Sequence, residues 1–205
     1  MKVLIIQNCQ NDFIDEYGTL YIKDSKFIIP EINKLLNSKN INLKVLTQEW
    51  HPFNHISFAK THNAKQYTEK KVKQNGVQVN QIMWPEHCVA GEWGSQFYSD
   101  LDIKKADIIM RKGSDIKREN YSFLEYLSGG YTEYYDMIKN LKVDEFILCG
   151  VATNHHIYST ACSLISIKKP VTIIISTVKS VEGDKISLSK LEKLGCKIKD
   201  IKNYV

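Results

Sequence analysis

The sequence predicts an α/β protein with three layers, in which a six-stranded, mostly parallel sheet lies between helices. Short apolar, β-branched runs alternate along the chain with segments whose apolar residues recur at helical spacing. Such alternation is typical of a parallel sheet whose strands are connected by helices. Because 205 residues suit one domain, we expect residues 1–205 to form a single domain.

The elements follow one another with clear boundaries. Pro170 separates the third helix from the fifth strand, and Gly195 ends the last helix. Two long stretches, about 50–100 and 113–130, show neither the alternation of a strand nor the apolar spacing of a helix. Long irregular segments of this kind usually carry function. The predicted strands are 3–6, 43–46, 108–110, 146–149, 171–175 and 196–198, and the predicted helices are 25–38, 134–141, 157–168 and 186–194.

Composition excludes several classes of partner. The chain has 28 basic and 23 acidic residues, and the excess lysines are scattered, so we expect no nucleic-acid partner. No apolar run reaches membrane-spanning length, so we expect no membrane partner. The five cysteines are odd in number and form no CxxC pair, which favours reduced thiols and a cytoplasmic protein.

One strand-to-helix junction is the first candidate for a site. The apolar run at 145–148 leads through Gly150 into Thr153, Asn154, His155 and His156 and then into a helix. Ligands bind open α/β sheets where strand ends meet helix starts. We therefore expect Asn154 and His156 to face a ligand, although a polar cap without chemistry would give the same pattern.

Polar residues also follow the first and third predicted strands. Asn8 and Gln10 alternate with Cys9 and so share one side of an extended chain. Lys112 ends the third strand, where an ammonium group can stabilise a neighbouring anion. A polar turn and a surface lysine are the alternatives.

A second group contains metal-ligand residue types. Glu49 and His51 are separated by one residue after the second strand, and His87 lies in the long irregular stretch. Two imidazoles and one carboxylate form a ligand set for Zn²⁺, Fe²⁺ or Mn²⁺ that leaves positions open. Surface histidines are the alternative.

Together these stretches resemble the nicotinamidase and isochorismatase-like cysteine hydrolases, especially the eukaryotic-type nicotinamidases. The resemblance implies the isochorismatase-like fold and hydrolysis of nicotinamide to nicotinate and ammonia in NAD salvage, in the pyridine nucleotide metabolism of the cell. The matching stretches, in family order, are Gln10-Asn11-Asp12-Phe13, Glu49 to Ala59, Trp84 to Val89, Trp93 to Phe97, Arg111-Lys112-Gly113, Tyr121-Ser122-Phe123 and Gly150 to His155.

The family uses an Asp–Lys–Cys triad, in which the thiolate attacks the carboxamide carbon and the carboxylate moves the proton. By resemblance these positions are Asn8, Lys112 and His156, so only the lysine is kept. Neither Cys149 nor Cys162 matches the position of the thiol. We therefore expect a catalytically impaired protein, in which restoring Asp at position 8 and Cys at position 156 raises amide hydrolysis.

The rest of the family site is matched more closely. The resemblance implies one divalent metal, zinc first with iron or manganese as alternatives, that binds the pyridine nitrogen. It also implies a cis bond between Val151 and Ala152 beside an oxyanion hole. The implied residues are Glu49, His51 and His87 for the metal, His55 as a ligand or a neighbour of the ligands, Phe13, Trp84 and Tyr121 for the substrate, and the amides of Ala152 and His156 for the oxyanion.

Three functions stay open at this point. The chain is a pseudoenzyme that binds metal and a nicotinamide-like small molecule for regulation, or a weak nicotinamidase. Alternatively, it hydrolyses a different small amide or ester through His156 or metal-bound water. A homo-oligomer is compatible with each.

Overall fold

The structure, a computed structural model, describes residues 1–181 and 183–205. Strands and helices alternate as the sequence predicts. The strands are β1 (Lys2–Gln7), β2 (Leu43–Glu49), β3 (Glu69–Gln74), β4 (Val77–Ile82), β5 (Ile108–Lys112), β6 (Glu145–Val151), β7 (Val171–Lys179) and β8 (Lys197–Lys199). The α-helices are α1 (Asn11–Ile14), α2 (Ile29–Asn37), α3 (Tyr135–Asn140), α4 (Tyr158–Ser166) and α5 (Asp184–Leu194).

Six strands form one parallel sheet in the order β5-β2-β1-β6-β7-β8. The predicted fold class is therefore confirmed. Strand β1 lies in the middle, with β2 on one side and β6 on the other. Since all six strands run the same way, the polar residues that follow β1, β2, β5 and β6 meet at one edge of the sheet.

Both faces of the sheet are covered. Leu4 and Ile6 of β1 pack into one apolar cluster together with α2, whereas Val3 and Ile5 pack into a second cluster on the opposite face. All four side chains are buried. This alternation follows from the period of two in a strand, and it explains why the central strands are apolar throughout. In the part of the chain that the structure describes, no helix is long and apolar enough to cross a membrane.

The irregular stretch 50–100 contains a hairpin that the sequence analysis missed. Strands β3 and β4 pair antiparallel as a separate two-stranded sheet. Most of their exposed residues are polar, so the strands lack the apolar alternation that predicts a strand. These exposed polar residues are Glu69, Lys70, Lys71, Lys73, Gln78 and Asn80. Asn75 and Gly76, with φ of 47° and 84°, form the tight turn, and this Asn-Gly pair was the available signal.

Several element boundaries also differ from the prediction. Strand β7 continues to Lys179, because a register shift lets Val178 pair with Gly150 beyond the predicted end at 175. The helix after β6 begins with a π-helical turn at Thr153–Ile157, and regular α-helix starts only at Tyr158. The segment 25–28 is a 3₁₀ turn that precedes α2.

Candidate active site

The carboxyl ends of four strands bring the candidate residues together. Asn8 directly follows β1, and His156 lies in the turn after β6. Glu49 and Lys112 end β2 and β5 and are register partners, so their side chains leave the sheet side by side. The three positions that resemble a triad, Asn8, Lys112 and His156, therefore surround one point, and Glu49 occupies it.

The Glu49 carboxylate is the centre of this arrangement. Its Oε1 accepts from the Lys112 ammonium, lies 3.0 Å from His156 Nε2 and accepts from Asn8 Nδ2 at 3.3 Å. Burial alone would raise the pKa of Glu49, but Lys112, His51 and His156 outweigh burial and hold the pKa well below its usual range. Glu49 is thus the ionised partner of the buried Lys112.

Asn8 is held as a hydrogen-bonding residue and not as a base. Its Oδ1 accepts from the Thr47 hydroxyl at 2.9 Å, so its Nδ2 is the atom that faces Glu49. An amide cannot take a proton near neutral pH. Lys112 makes a second bond, to the Asn120 carbonyl at 3.0 Å. Lys112 is therefore paired with the carboxylate of Glu49, three residues beyond the apolar run 43–46, and not with position 8.

His156 is fixed in one tautomer by its neighbours. The backbone N–H of Ala152 donates to Nδ1 at 3.3 Å, so the proton of the neutral ring is on Nε2 and points to Glu49. Burial, reinforced by Lys112, lowers the pKa of His156 to about 4. The Val151–Ala152 peptide is cis, as the resemblance implies. However, the Ala152 amide, an expected oxyanion donor, already donates to His156.

No thiol replaces the missing nucleophile among the described residues that line the cavity. Cys9 and Cys149 are buried and face the backbone carbonyls of Gln7 and Ile5. Burial raises the pKa of Cys9 to about 12 and also raises the pKa of Cys149. Cys162 lies on α4 in a different surface depression. These thiols are neither placed nor ionised for attack at His156.

The expected metal ligands present unused lone pairs. His51 Nδ1 donates to the Gly113 carbonyl at 2.9 Å and His87 Nδ1 donates to the Pro85 carbonyl at 2.8 Å. In the neutral rings each Nε2 is therefore an acceptor without a proton. Glu49 Oε2 is buried, receives no hydrogen bond and lies 3.1 Å from His51 Nε2.

This donor chemistry fits a divalent ion, because one carboxylate and two imidazole nitrogens are a ligand set that zinc, iron and manganese accept. Without an ion, a proton fills the same role between Glu49 and His51: burial lowers the pKa of His51, but Glu49 outweighs burial and raises that pKa above its usual value. Even so, within residues 1–181 and 183–205 no three side chains are already arranged as a coordination group. Glu49 Oε1 is already engaged by Lys112 and His156, which leaves Oε2 as the oxygen that faces His51.

His55 is a neighbour of these ligands. Its Nδ1 accepts from the Ser57 backbone N–H at 3.3 Å, and its Nε2 consequently donates to the Arg118 carbonyl at 3.2 Å. Both ring nitrogens are used. The ring lies against His51 with centroids 4.3 Å apart, and burial lowers the pKa of His55 to about 2. His55 supports the His51 ring and has no lone pair left for a metal.

The site opens into a cavity of about 140 Å³. An engineered protein cavity of about 150 Å³ binds benzene, so this volume suits a single small aromatic ring. Phe13, Trp84 and Tyr121 are in the wall, as the resemblance implies for the substrate residues, and Glu49 also lines the cavity. Asn8 and Lys112 do not line the cavity, whereas Glu49, which is bonded to both, does.

Several lining residues escaped the sequence analysis. Glu119 is a second buried carboxylate in the wall, and burial raises its pKa. It lies in the stretch without periodicity, where a single glutamate gives no signal. His155 lines the cavity beside His156. By contrast, Asn154 was expected to face the ligand, and instead its Oδ1 accepts from the Val181 amide at 3.2 Å.

The fold and this edge of the sheet define an α/β protein with a parallel sheet and a buried carboxylate–lysine pair at the strand ends. The isochorismatase domain matches residues 2–201, and the chain belongs to this family. The chain is 30% identical over 204 residues to the nicotinamidase of Saccharomyces cerevisiae, covering 94% of each chain. It is 33% identical over 183 residues to the nicotinamidase of Acinetobacter baylyi, covering 87% of this chain and 81% of the relative.

Solved structures agree with this relationship. The yeast nicotinamidase Pnc1p bound to the inhibitor nicotinaldehyde superimposes with a TM-score of 0.89 at 27% identity, covering 98% of this chain and 100% of that one. The pyrazinamidase of Pyrococcus horikoshii in complex with zinc gives a TM-score of 0.74 at 28% identity, covering 97% and 98%. The chain is accordingly a nicotinamidase-like member of the isochorismatase hydrolase family.

Proposed function

We propose that this protein binds a nicotinamide-like small molecule and has lost the thiol amidase chemistry of its relatives. The observation that carries the proposal is the position of Glu49. Its carboxylate occupies the point where Asn8, Lys112 and His156 meet, and it lines the cavity whereas Asn8 and Lys112 do not. A bound carboxamide therefore meets Glu49 and His156 and does not reach the rest of the degenerate triad.

The amidase reaction needs a nucleophile, a base and a donor for the oxyanion. Asn8 takes no proton, and the proton on His156 Nε2 points to Glu49. The lone pair on His156 Nδ1 is used by the Ala152 N–H, which in turn is the expected oxyanion donor. Each of the three functions is either absent or already satisfied within the protein.

Binding is supported by the walls of the cavity. Phe13 and Trp84 are the ring-binding positions implied by the resemblance, and the yeast relative holds nicotinaldehyde. A flat pyridine ring that carries a carbonyl group fits both the volume and the aromatic lining.

The same site is proposed to hold one divalent ion through Glu49, His51 and His87. Zinc is the first choice, because the Pyrococcus pyrazinamidase is a zinc complex, and iron or manganese are alternatives. The ion would supply a Lewis-acid position for a lone pair of the ligand. His51 and His87 are oriented for this role by the Gly113 and Pro85 carbonyls.

A second candidate function is hydrolysis of a different amide or ester. The Glu49–His156 hydrogen bond favours it, because a carboxylate that orients an imidazole can support general-base catalysis. His156 Nδ1 would have to leave the Ala152 amide before it could take a proton from water. The cytoplasm is the proposed compartment, which the free cysteines support.

The test combines turnover and binding on one metal-loaded sample. We expect nicotinamide binding by calorimetry and no ammonia release in the same protein. Turnover on the order of 1 per second or faster would overturn the proposal. In that case His156→Ala compared with the matched His155→Ala variant would decide for the second candidate, because only His156 is bonded to Glu49.

A further inference from the structure

A chain of polar side chains connects the hairpin to the wall of the cavity. Gln74 on β3 and Gln81 on β4 are both buried, although they belong to a hairpin that is otherwise largely exposed. Beyond them are the Tyr121 hydroxyl and the Trp84 indole, two of the groups that line the cavity. A buried side-chain amide destabilises the fold unless its oxygen and nitrogen are hydrogen-bonded. The partners of these two amides therefore show which atom is the donor in each hydrogen bond.

One end of the chain is fixed by a backbone amide. The Glu119 N–H can only donate, and it donates at 3.0 Å to Gln74, so that atom is the amide oxygen. The other amide atom of Gln74 is then the nitrogen, which donates to Gln81 at 3.0 Å. The Gln81 atom that receives this bond is its oxygen.

The other end is fixed by a backbone carbonyl. The Gln81 nitrogen donates to the Ile82 carbonyl at 2.8 Å, in agreement with the assignment from the first end. The same nitrogen donates to the Tyr121 hydroxyl oxygen at 3.4 Å, and the Trp84 indole N–H donates to that oxygen at 3.0 Å. An indole N–H has no acceptor role. The Tyr121 oxygen consequently accepts two hydrogen bonds.

The hydroxyl proton of Tyr121 is therefore left for a third partner. Among the residues that the structure describes, no side chain or carbonyl accepts a hydrogen bond from it. Tyr121 lines the cavity, and burial raises its pKa, so the proton stays on the oxygen. Its ring lies beside His155 and His156, with centroids 5.8 Å and 5.7 Å away.

We infer that the β3–β4 hairpin, through Gln74 and Gln81, sets the Tyr121 hydroxyl as a hydrogen-bond donor to the ligand, so that the site selects an aromatic ring bearing an acceptor. Gln81 is a positioning residue, and Tyr121 is the residue that touches the ligand. The inference rests on the proposed function only in taking the ligand to be a small aromatic molecule.

The experiment measures ligand preference by calorimetry, or by ligand-observed NMR for weak binding. Three probes are compared on the metal-loaded protein: nicotinamide, benzamide without the ring nitrogen, and 3-methylpyridine without the carbonyl. Comparing nicotinamide with benzamide tests the ring nitrogen as an acceptor, and comparing nicotinamide with 3-methylpyridine tests the carbonyl oxygen. The variants are Tyr121→Phe, Gln81→Met and the control Gln78→Met, which makes the same change at an exposed position of the same strand.

We expect Tyr121→Phe to reduce one of the two affinity ratios, nicotinamide over benzamide or nicotinamide over 3-methylpyridine, by about fivefold to tenfold. This is the value of one neutral hydrogen bond. Gln81→Met should reduce the same preference, because the hydroxyl can then turn toward the vacated position. Gln78→Met should leave it unchanged. Thermal melting of each variant shows whether it is folded.

The outcomes separate the two proposals. If benzamide binds with a preference that depends on Tyr121 while nicotinamide does not bind, the proposed function fails and the inference stands. If all three probes bind with ratios unchanged in Tyr121→Phe, the inference is overturned and the proposed function stands. If Gln81→Met weakens every probe equally, its role is structural and the inference is overturned for the hairpin. Binding of none of the three overturns both.

Discussion

Restoring the two missing triad residues would place a second carboxylate beside Glu49. In the Asn8→Asp/His156→Cys variant the new carboxyl replaces an amide whose nitrogen lies 3.3 Å from Glu49 Oε1. Two carboxylates at this separation repel each other by about 5 kcal/mol at an effective dielectric constant of about 20. Since about 1.4 kcal/mol corresponds to one pKa unit, the repulsion raises the pKa of one carboxyl by about 3 to 4 units. The positive charge of Lys112 offsets only part of this repulsion, because both carboxylates share it.

Glu49→Asp is expected to relieve this conflict. It shortens the side chain by one carbon–carbon bond, about 1.5 Å, which lowers the repulsion to about 3.5 kcal/mol. Added to an ordinary Asp pKa of about 3.9, the two repulsions place the pKa of the new base at about 7.6 in the double variant and at about 6.4 in the triple variant. The ionised fraction at pH 7 then rises from about one fifth to about four fifths, so the triple variant should hydrolyse nicotinamide about fourfold faster than the double variant at that pH. Glu49→Asp also releases Lys112 toward position 8 and opens the base of the cavity.

Ammonia release at saturating nicotinamide is the assay, with metal content matched between samples. The double variant should gain activity more steeply than the triple variant as the pH rises from 7 to 9, because its base is still protonated at pH 7. Glu49→Asp alone is the control and should stay inactive, since it lacks a thiol. A double variant as active as the triple variant at pH 7 would refute the electrostatic argument.

Three further predictions concern metal and stability. After loading and dialysis, His51→Ala should retain much less zinc than wild type, whereas His62→Ala, outside the site, should not; equal metal content in all three proteins would count against the site. Asp12→Asn should lower the free energy of unfolding by about 1–3 kcal/mol in urea, because both carboxylate oxygens accept backbone amides, at 2.6 and 3.0 Å, while the exposed Asp136→Asn should change it little. Burial alone would raise the pKa of Glu145, but hydrogen bonds from three side chains lower it below its ordinary value of 4.5. Its contribution to stability is thus present above pH 4.5 and lost as the pH falls below it, and Glu145→Gln should flatten the unfolding free energy in that range.

The sheet could be predicted from sequence because its strands are short apolar runs and residues such as Pro170 and Gly195 mark the ends of the elements. The ends of these runs also located Asn8, Lys112 and the His156 turn, since parallel strands end at one edge. These inferences need only the position of a residue relative to the end of its strand, which the order of residues along the chain fixes.

The role of Glu49 was not accessible in the same way. The sequence identifies a carboxylate at the end of β2, but its partner depends on the rotamer and on one methylene group. The hairpin escaped because a solvated two-stranded sheet has no apolar face along most of its length. Its buried glutamines, which determine how Tyr121 is bonded, look like surface residues in the sequence. Polar networks are decided by tertiary contacts, which no local pattern encodes.

The π-helical turn at Thr153–Ile157 holds one residue more than an α-helical turn would. This extra residue lets the adjacent His155 and His156 both border the cavity while α4 keeps its buried face against the sheet. If the turn were one residue shorter, the side chains of α4 would be rotated by about 100° about the helix axis relative to His155 and His156. Either the histidines would leave the cavity or Ala161 and Leu164 would leave the core. The segment should therefore accept a change of side chain more readily than a change of length.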